Sequence, residues 1–375
     1  MAGIYIHIPF CRKACYYCDF HFSTSLKSVD LMIRCFRDEI NMRKNFLKGE
    51  NINTIYFGGG TPSIINAGSI EQILGDIYKL FRVTEKPEIT LEANPDDISV
   101  NKLKELKEAG INRLSIGVQS FNNENLKKLN RVHDSATALN SLEAARRSGF
   151  DNINADLIFS INSGYLPVLK EDLQTMNKFR PEHLSIYCLT IESGTVFGNW
   201  QKKGLLRTST DDEAATEYEF IMDDLEAAGY DHYEISNFSL KGFHSRHNTG
   251  YWLNEKYLGI GPSAHSYDRI NRYSNISNNA LYIKSIESNK IPETIEALTT
   301  KDRINEYIMT SLRTKWGCDL QYIKIHFGEN ILAESGTLID TMCQQGYMFV
   351  RGNNVALTRK GKLIADELTS RLFIS

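Results

Sequence analysis

A regular alternation of short apolar runs with longer amphipathic runs occupies the first 235 residues, and it limits the fold more than any other feature of the chain. Six apolar runs have the composition of strands: IYIHI (4–8), TIYFG (54–58), EITLEA (88–93), RLSIGV (113–118), INADLI (153–158) and HLSIYCL (183–189). The stretches between them, such as 29–47 and 69–81, have the apolar spacing of helices. Strands that alternate with helices in this way predict βαβ units and a parallel sheet.

Right-handed crossovers wind such a sheet either into a doubly wound fold or into a complete or partial barrel. The spacing of the runs does not separate these two outcomes. In both folds ligands collect at the carboxyl ends of the strands. Chemically notable groups occur at five of these ends: the segment 11–18, the turn 58–62, Glu92, Gln119 and Asp156. We therefore predict one shared site at this end of the sheet.

Two further ranges break the alternation. Residues 236–290, which contain HNTGYW (247–252), are rich in Gly, His and aromatic residues and are predicted to form a loop-rich segment that crosses the sheet. In residues 291–375 helical patterns surround a hairpin pattern at 347–358, which predicts a helical, winged-helix-like domain. The predicted domains are therefore 1–235, 236–290 and 291–375.

Composition and charge exclude some classes of function. The formal net charge is −3, from 43 basic and 46 acidic residues, which argues against a chain-wide nucleic-acid surface. No apolar run is long enough to predict a membrane span. The start, MAGIYIHIPF, has neither a basic n-region nor a small-residue cleavage site, so we expect no secretory signal and a cytoplasmic location. Basic residues of the last domain are interleaved with acidic ones such as Asp319 and Asp340, which favours packing or partner binding over DNA binding.

Three of the seven cysteines are clustered in CRKACYYC, as Cys11, Cys15 and Cys18. Under reducing conditions these are not expected to belong to a disulfide framework. A zinc site completed by His21 would be unusually tight, whereas three thiolates can hold three irons of a cubane and leave the fourth iron open. We therefore predict a [4Fe–4S] cluster. The other four cysteines lie among apolar neighbours and are expected to be core residues: Cys35, Cys188, Cys318 and Cys343.

The spacing C-x3-C-x2-C resembles the signature of the radical S-adenosylmethionine (SAM) superfamily, in which SAM chelates the open iron. The segments YIHIPFCRKACYYCDF, FGGGTPS, LEANPDD, GVQSF, LNRVH and ADLIF are similar to those of oxygen-independent coproporphyrinogen III oxidase and its relatives. This resemblance implies a partial (β/α)6-type radical SAM barrel, and it implies SAM contacts at Tyr5, Tyr17, Gly59, Gly60, Thr61, Glu92, Gln119, Arg131 and Asp156. Carboxylates can accept hydrogen bonds from an ammonium or from ribose hydroxyls, and a guanidinium can bind a carboxylate.

Two departures separate this chain from the oxidase. The oxidase signature continues to a fourth cysteine, where this chain has Phe20. The oxidase also has an N-terminal extension, whereas only four residues precede Tyr5 here. Both departures favour the heme-chaperone branch of the same subfamily, for which no catalytic residue is predicted. The alternative is an oxidase-like radical SAM enzyme that acts on a porphyrin-type substrate.

The segment HNTGYW matches a motif that the resemblance links to heme. It implies that His247 supplies an axial imidazole and that Tyr251 and Trp252 contact the macrocycle. His244 and His265 are competing ligands, and a structural role for the motif is the alternative. The expected partners are heme and acceptor hemoproteins and do not include nucleic acid; peripheral contact with membrane-bound clients and a homodimer are left open.

Overall fold

The computed structural model describes residues 1–374, except for the side chains of residues 332–334. The strands are β1 Ala2–Ile8, β2 Ile52–Gly59, β3 Val83–Ala93, β4 Arg113–Gln119, β5 Ile153–Phe159, β6 His183–Cys188, β7 Asp231–Glu234, β8 Asn237–Ser239, β9 Lys256–Ile260, β10 His265–Tyr267, β11 Asn271–Asn275, β12 Glu293–Ala297, β13 Cys318–Asp319, β14 Met348–Arg351 and β15 Asn354–Leu357. The helices are α1 Val29–Met42, α2 Ala67–Leu80, α3 Val100–Glu108, α4 Asn123–Lys128, α5 Ser135–Arg147, α6 Leu166–Phe179, α7 Val196–Lys202, α8 Asp211–Ala227, α9 Arg246–Trp252, α10 Asn279–Glu287, α11 Thr300–Leu312, α12 Leu320–Phe327, α13 Ile331–Gln344, α14 Arg359–Lys362 and α15 Ala365–Ser370.

The order of the central strands decides between the two folds that the spacing allows. Strands β1 to β6 are parallel neighbours in chain order, and each crossover between them contains at least one helix. A doubly wound sheet would reverse its strand order at a switch point. Without a reversal, successive right-handed crossovers curve the sheet toward a barrel. The prediction of a partial six-stranded (β/α) barrel is therefore confirmed, and all six predicted strands are present.

Residues along β1 alternate between the two faces of the sheet, as the period of a strand requires. Ile4, Ile6 and Ile8 are fully buried in the apolar core that includes the surrounding helices. Tyr5 and His7 lie on the opposite face and bond each other, with the Tyr5 hydroxyl 3.1 Å from Nδ1 of His7. The interior face of the barrel thus carries the polar aromatic side chains of Tyr5 and His7. These side chains lie beneath the carboxyl ends of the strands.

The range 236–290 differs from the predicted loop-rich segment. It contains β8, which pairs with β6, and β9, which runs parallel to β1 on the other side of the barrel. Strands β10, β11 and β12 extend the sheet beyond β9 in antiparallel order. These strands are short and polar, so the sequence lacks the long apolar runs that reveal β1 to β6. HNTGYW lies on helix α9 and not in a loop.

The last part of the chain has a core of its own. Its buried apolar residues come from between Ile304 and Leu372, and those of the barrel come from between Ala2 and Ile286. The succession α11, β13, α12, α13, β14 and β15, with sheet order β13-β15-β14, is that of a winged helix, and the predicted hairpin is confirmed. The ranges 1–235, 236–290 and 291–375 themselves stay a prediction. Within the described part of the chain, no helix combines the length and apolar character needed to cross a membrane.

Candidate functional site

A cavity of about 380 Å³ opens at the carboxyl ends of the parallel strands. One wall is the segment 11–18, which we call the cysteine loop, and the other walls are the ends of β2 to β6. Eleven of the residues predicted from the sequence line this cavity: Cys11, Cys15, Tyr17, Cys18, Gly59, Gly60, Thr61, Glu92, Gln119, Arg131 and Asp156. Tyr5, His247, Tyr251 and Trp252 do not line it.

Hydrogen bonds from several parts of the barrel hold the cysteine loop in place. At its base, the Cys11 amide donates to the Ser23 carbonyl at 3.0 Å, and the Ser23 amide donates to the Pro9 carbonyl at 2.9 Å. In the middle of the loop, the Asn130 side-chain amide donates to the Ala14 carbonyl at 2.7 Å. A short loop without regular structure is thus given a defined position over the cavity.

Tyr5 and His7 connect this loop to the interior of the barrel. Burial lowers the pKa of His7 to about 4, so that its ring is neutral. Nδ1 then accepts from the Tyr5 hydroxyl, and Nε2 donates to the carbonyl of His21, 2.9 Å away and just beyond the loop. Tyr5 is therefore linked through His7 to the chain just beyond the cysteine loop and is not itself part of the cavity wall.

The three thiols have surroundings that suit an iron–sulfur cluster. The Thr61 hydroxyl and a guanidinium N–H of Arg131 donate to the sulfurs of Cys11 and Cys15, each at 3.4 Å. Such bonds stabilise coordinated thiolates and tune cluster potentials. Burial raises the pKa of the Cys11 thiol, and it raises the pKa of the Cys18 thiol to about 12, so a bound metal is needed to keep these groups ionised.

No three metal-binding side chains in the described part of the chain converge as the ligands of one metal ion would. A cubane makes no such demand, because each cysteine binds a different iron. The donor set of the cysteine loop therefore fits a [4Fe–4S] cluster.

The turn after β2 packs so closely against the chain just before the cysteine loop that only glycine fits. Gly59 has φ of +110°, in the left-handed region. A Cβ on Gly60 would lie 2.6 Å from the Phe10 carbonyl oxygen and 2.9 Å from that of Ile8. The Gly60 amide instead donates to the Ile8 carbonyl at 2.8 Å. The turn thus brings backbone into the cavity wall directly beside Cys11.

Glu92 and Asp156 place two carboxyl groups in the same wall. The Tyr56 hydroxyl and the Gly59 amide donate to Glu92 at 2.8 Å and 3.2 Å, and the Asn154 side-chain amide donates to Asp156 at 2.6 Å. Burial, together with the charge of Asp156, raises the pKa of Glu92 to about 7. Burial raises the pKa of Asp156 to about 6. A ligand that brings an ammonium or hydroxyl donors would satisfy these groups and favour their ionised forms.

Arg131 offers an unused donor in the same wall. Its Nη2 donates to Asn94 Oδ1 at 2.6 Å and to the Gly117 carbonyl at 2.9 Å. Its Nε is buried and has no partner among the described residues. Nearby, Gln119 has φ of +68°, a strained conformation for a residue with a side chain and one that is concentrated at functional sites. A ligand carboxylate is the acceptor that best suits an orphaned guanidinium N–H.

The motif on α9 lies at the opposite end of the barrel from the cysteine loop. His247 is 4% exposed, and both of its ring nitrogens are bonded: Nδ1 to the Thr54 hydroxyl and Nε2 to the Tyr251 hydroxyl, each at 2.8 Å. Its ring stacks on those of Tyr56 and Tyr5, with centroids 5.0 Å and 6.4 Å away. Burial lowers the pKa of His247 to about 3, so the ring is neutral. Two hydroxyls occupy both ring nitrogens, which favours a structural role, and the axial-ligand role stays a prediction.

In this structure His247 supports the floor of the barrel. It lies beneath Tyr56, whose hydroxyl binds Glu92 in the cavity wall. Trp252, at the end of the same helix, is half-buried, with the guanidinium of Arg313 5.8 Å from its ring. Arg313 follows helix α11, so the tryptophan faces the last part of the chain and not the cavity.

Several residues of the site escape the sequence reasoning. Tyr56 and Asn154, which hold the two carboxyl groups, have no pattern that marks them. Cys188 was expected in the core, and the structure corrects this, because the residue is exposed and lines the cavity. The signal that could have identified Cys188 is its place at the end of β6, because ligands of such folds collect at the carboxyl ends of the strands. Cys35 and Cys318 are buried, as predicted, and Cys343 is half-buried.

Comparison with known proteins gives two matches to family models. The one described as the Radical SAM superfamily matches residues 5–178. The one described as the HemN C-terminal domain matches residues 298–364. The cavity wall up to Ile158 thus falls within the first match, and much of the winged-helix-like part of the chain falls within the second.

Individual proteins match over nearly the whole chain. The heme chaperone HemW of Lactococcus lactis subsp. lactis is 37% identical over 372 residues, covering 99% of this chain and 97% of its own length. HemW of Bacillus subtilis is 35% identical over 371 residues, with 98% of each chain covered. The solved structure of coproporphyrinogen III oxidase (HemN) from Escherichia coli aligns with a TM-score of 0.85 and 22% identity, over 99% of this chain and 90% of its own. At that identity the structural match speaks for the fold alone.

Proposed function

We propose, from the premise that this chain belongs to the HemW family of the radical SAM superfamily, that it binds a [4Fe–4S] cluster, SAM and heme and transfers heme to acceptor hemoproteins. The observation that carries the proposal is the similarity, over nearly the full length of both chains, to proteins described as heme chaperones. We also propose that the protein works in the cytoplasm, where reducing conditions keep its thiols available for metal.

The cavity supplies the groups that the two cofactors need. Cys11, Cys15 and Cys18 would each hold one iron, and Glu92 and Arg131 would bind the ammonium and carboxylate groups of SAM. When bound, a [4Fe–4S] cluster supplies one-electron chemistry and an open iron for SAM. The chain's own part is to orient SAM: the Gly60 turn admits it beside Cys11, and Tyr56 holds Glu92 in place.

Phe20 supports chaperoning over oxidation of a porphyrin. It stands where the oxidase signature has its fourth cysteine, and it is 67% exposed in the lining of the cavity. An aromatic ring there cannot act as a thiol ligand or as a thiol donor to a substrate. The second candidate, a radical SAM oxidation of a porphyrin-type substrate, is favoured by the thiols and the open mouth of the same cavity.

Parallel assays distinguish the two candidates. We expect reconstituted protein loaded with heme to transfer it to an apo-hemoprotein. After the two proteins are separated by size, the Soret band of the acceptor measures the heme that it has received. With SAM and a reductant under anaerobic conditions, we expect no conversion of coproporphyrinogen III, because Phe20 replaces the fourth cysteine of the oxidase signature. Multiple turnovers of coproporphyrinogen III without heme transfer would reverse the assignment.

Replacing His247 tests which role the α9 motif has. In His247→Ala we expect the free energy of unfolding to fall by about 2–4 kcal/mol, because the change opens a cavity under Tyr56 and leaves the Thr54 and Tyr251 hydroxyls without a partner. The absorption spectrum of heme bound to the folded variant should match that of the wild type. A shifted Soret band in a variant of unchanged stability would restore the axial-ligand role.

A further inference from the structure

Arg113 is a buried cation that the site described above does not use. It is the first residue of β4 and is only 1% exposed. Ser115 and Gly117 follow it on the same face of the strand, and both line the cavity, so Arg113 faces the interior of the barrel. Its Nε has no partner among the described residues, and Arg113 takes part in none of their ion pairs. Because an isolated buried charge is costly, its presence calls for opposite charges elsewhere in the interior.

The register of the parallel strands places Arg113 beneath the two carboxyl groups of the cavity wall. Thr90 is the partner of Arg113 on β3, and Glu92 is the next residue of β3 on the same face. Ser115 is the next residue of β4 on that face, and its hydroxyl lies 3.5 Å from each carboxyl oxygen of Asp156. Arg113 is therefore one step below both carboxyl groups, on the side away from the mouth of the cavity.

Glu92 and Asp156 have no cation paired with them. The hydrogen bonds that hold these two carboxyl groups all come from neutral donors. Neither group belongs to an ion pair of the described residues. Burial raises the pKa of both, and the charge of Arg113 opposes this rise at both. A guanidinium can act in this way without contact, because the low dielectric constant of a protein interior extends the reach of a charge.

The other titratable groups around Arg113 do not supply a free charge in its place. Four of them are buried tyrosines and histidines of other elements: Tyr56, His183, Tyr233 and His247. Burial leaves all four uncharged, since it raises the pKa of the tyrosines and lowers that of the histidines, and the charge of Arg113 lowers all four pKa values. Both oxygens of Glu88 accept backbone amides at the start of α9, at 3.1 Å each. The charge of Arg131 also lowers the pKa of Asp156, but its guanidinium donates to the sulfur of Cys15.

We infer that Arg113 is a positioning residue of the SAM site: it is the buried counter-charge that keeps Glu92 and Asp156 ionised for the ammonium and hydroxyl groups of SAM. It acts through these two carboxyl groups and does not itself line the cavity. No bond is formed or broken in this role, and only the protonation of the two carboxyl groups changes. The inference rests on the proposed function, because it concerns how the site binds SAM.

Calorimetric titration of the reconstituted full-length protein with SAM tests the inference. No reductant is added, so that SAM is bound and not cleaved. In the wild type we expect the affinity to rise with pH, because the pKa of Glu92 is about 7 and that of Asp156 about 6, and SAM favours the ionised forms. Measurements from about pH 5.5 to about pH 7.5 cover this rise while the ammonium group of SAM stays mostly protonated.

Replacing Arg113 by methionine removes the charge and keeps a long, unbranched side chain. Without the charge the two carboxyl groups should hold their protons to higher pH. We expect the rise in affinity to move up by about one pH unit, at the lower end of the effect of an opposite charge, and the affinity at pH 7 to fall roughly fivefold. Arg113→Lys retains the charge and should restore most of the wild-type profile, which would not follow from a merely structural role.

Thr90→Val is the matched control. Thr90 is fully buried beside Arg113, and its hydroxyl also has no partner among the described residues, so its removal disturbs the same place without changing a charge. The SAM affinity of this variant should follow the wild-type pH profile. Arg113→Gln is a second uncharged variant, and the iron and sulfide content of each variant shows whether the site is intact.

Three results would contradict the inference or its premise. The wild-type pH profile in both Arg113→Met and Arg113→Gln would overturn the role of Arg113 while leaving the proposed function in place. An equal loss of affinity in Arg113→Lys and Arg113→Met, with the pH profile unmoved, would also overturn it, because the shape of the side chain and not its charge would then matter. Absence of SAM binding by the wild type would overturn the SAM site of the proposed function itself.

Discussion

Replacing any one of Cys11, Cys15 and Cys18 by alanine is expected to abolish the [4Fe–4S] cluster. Each thiolate binds a separate iron, so the loss of one leaves a second iron open and the cluster without a stable set of ligands. Phe20, the nearest candidate by analogy with the oxidase, has no donor atom. After anaerobic reconstitution, the wild type should contain about four irons and four sulfides per chain and absorb broadly near 400 nm, and each variant should lose both properties.

Two other cysteines serve as controls for this experiment. Cys188 lines the same cavity from the end of β6, and Cys343 is half-buried on helix α13. Alanine at either position should leave the iron and sulfide content at the wild-type value. Loss of the cluster in Cys188→Ala would show that a fourth thiolate takes part. Stoichiometric zinc without sulfide in the wild type would contradict the cluster altogether.

Replacing Glu39 by alanine is expected to produce the largest loss of stability. Glu39 is fully buried on α1 and accepts four hydrogen bonds: from the Gly261 amide at 2.8 Å, the Tyr282 hydroxyl at 2.6 Å, the Asn275 side chain at 2.8 Å and the Arg43 guanidinium at 2.8 Å. Its removal leaves the Gly261 amide and the Tyr282 hydroxyl without a partner and takes away one of the two carboxylates around the buried Arg43. Breaking such a buried pair typically costs about 3–5 kcal/mol.

Urea unfolding, monitored by circular dichroism, measures this effect as a lower urea concentration at the midpoint of unfolding. Glu39→Gln keeps the shape of the side chain but not its charge, so it should fall between the wild type and Glu39→Ala. Glu71→Ala is the control, because Glu71 is exposed on α2 and its replacement should change stability by no more than about 0.5 kcal/mol. A midpoint for Glu39→Ala equal to that of the control would mean that the network contributes nothing to the folded state.

Much of the site could be predicted because its residues are marked by strand ends. A parallel strand buried on both faces is a continuous apolar run, so a polar group such as Glu92 or Asp156 at its end stands out. The structure brings these two carboxyl groups together with Arg131 and the cysteine loop in one cavity. Cys188 could have been found by the same rule. Treating it as a core residue was wrong, because its apolar neighbours in sequence are buried residues of β6, whereas Cys188 itself ends the strand and faces the cavity.

Other features could not be predicted because they depend on contacts between distant segments. His247 and Tyr56 are 191 positions apart, yet their rings stack at 5.0 Å. The motif around His247 shows which residue types are present, but not that Thr54 and Tyr251 would occupy both of its ring nitrogens. Strands β8 to β12 were missed for a related reason: each has at most five residues and is held by pairing with another strand of the sheet, which a short stretch of sequence does not reveal.

The sequence by itself determined the parallel βαβ units, the place of the site at the carboxyl ends of the strands and the three-thiol loop. These follow from local apolar periodicity and from residue types at fixed spacing, and both are properties of a few neighbouring residues. Only the tertiary structure decided that the strand order gives a partial barrel, that His247 is enclosed within it and that Cys188 faces the cavity. These depend on which distant segments meet, because pairing and burial are set by the free energy of the whole packed chain and not by any one stretch of it.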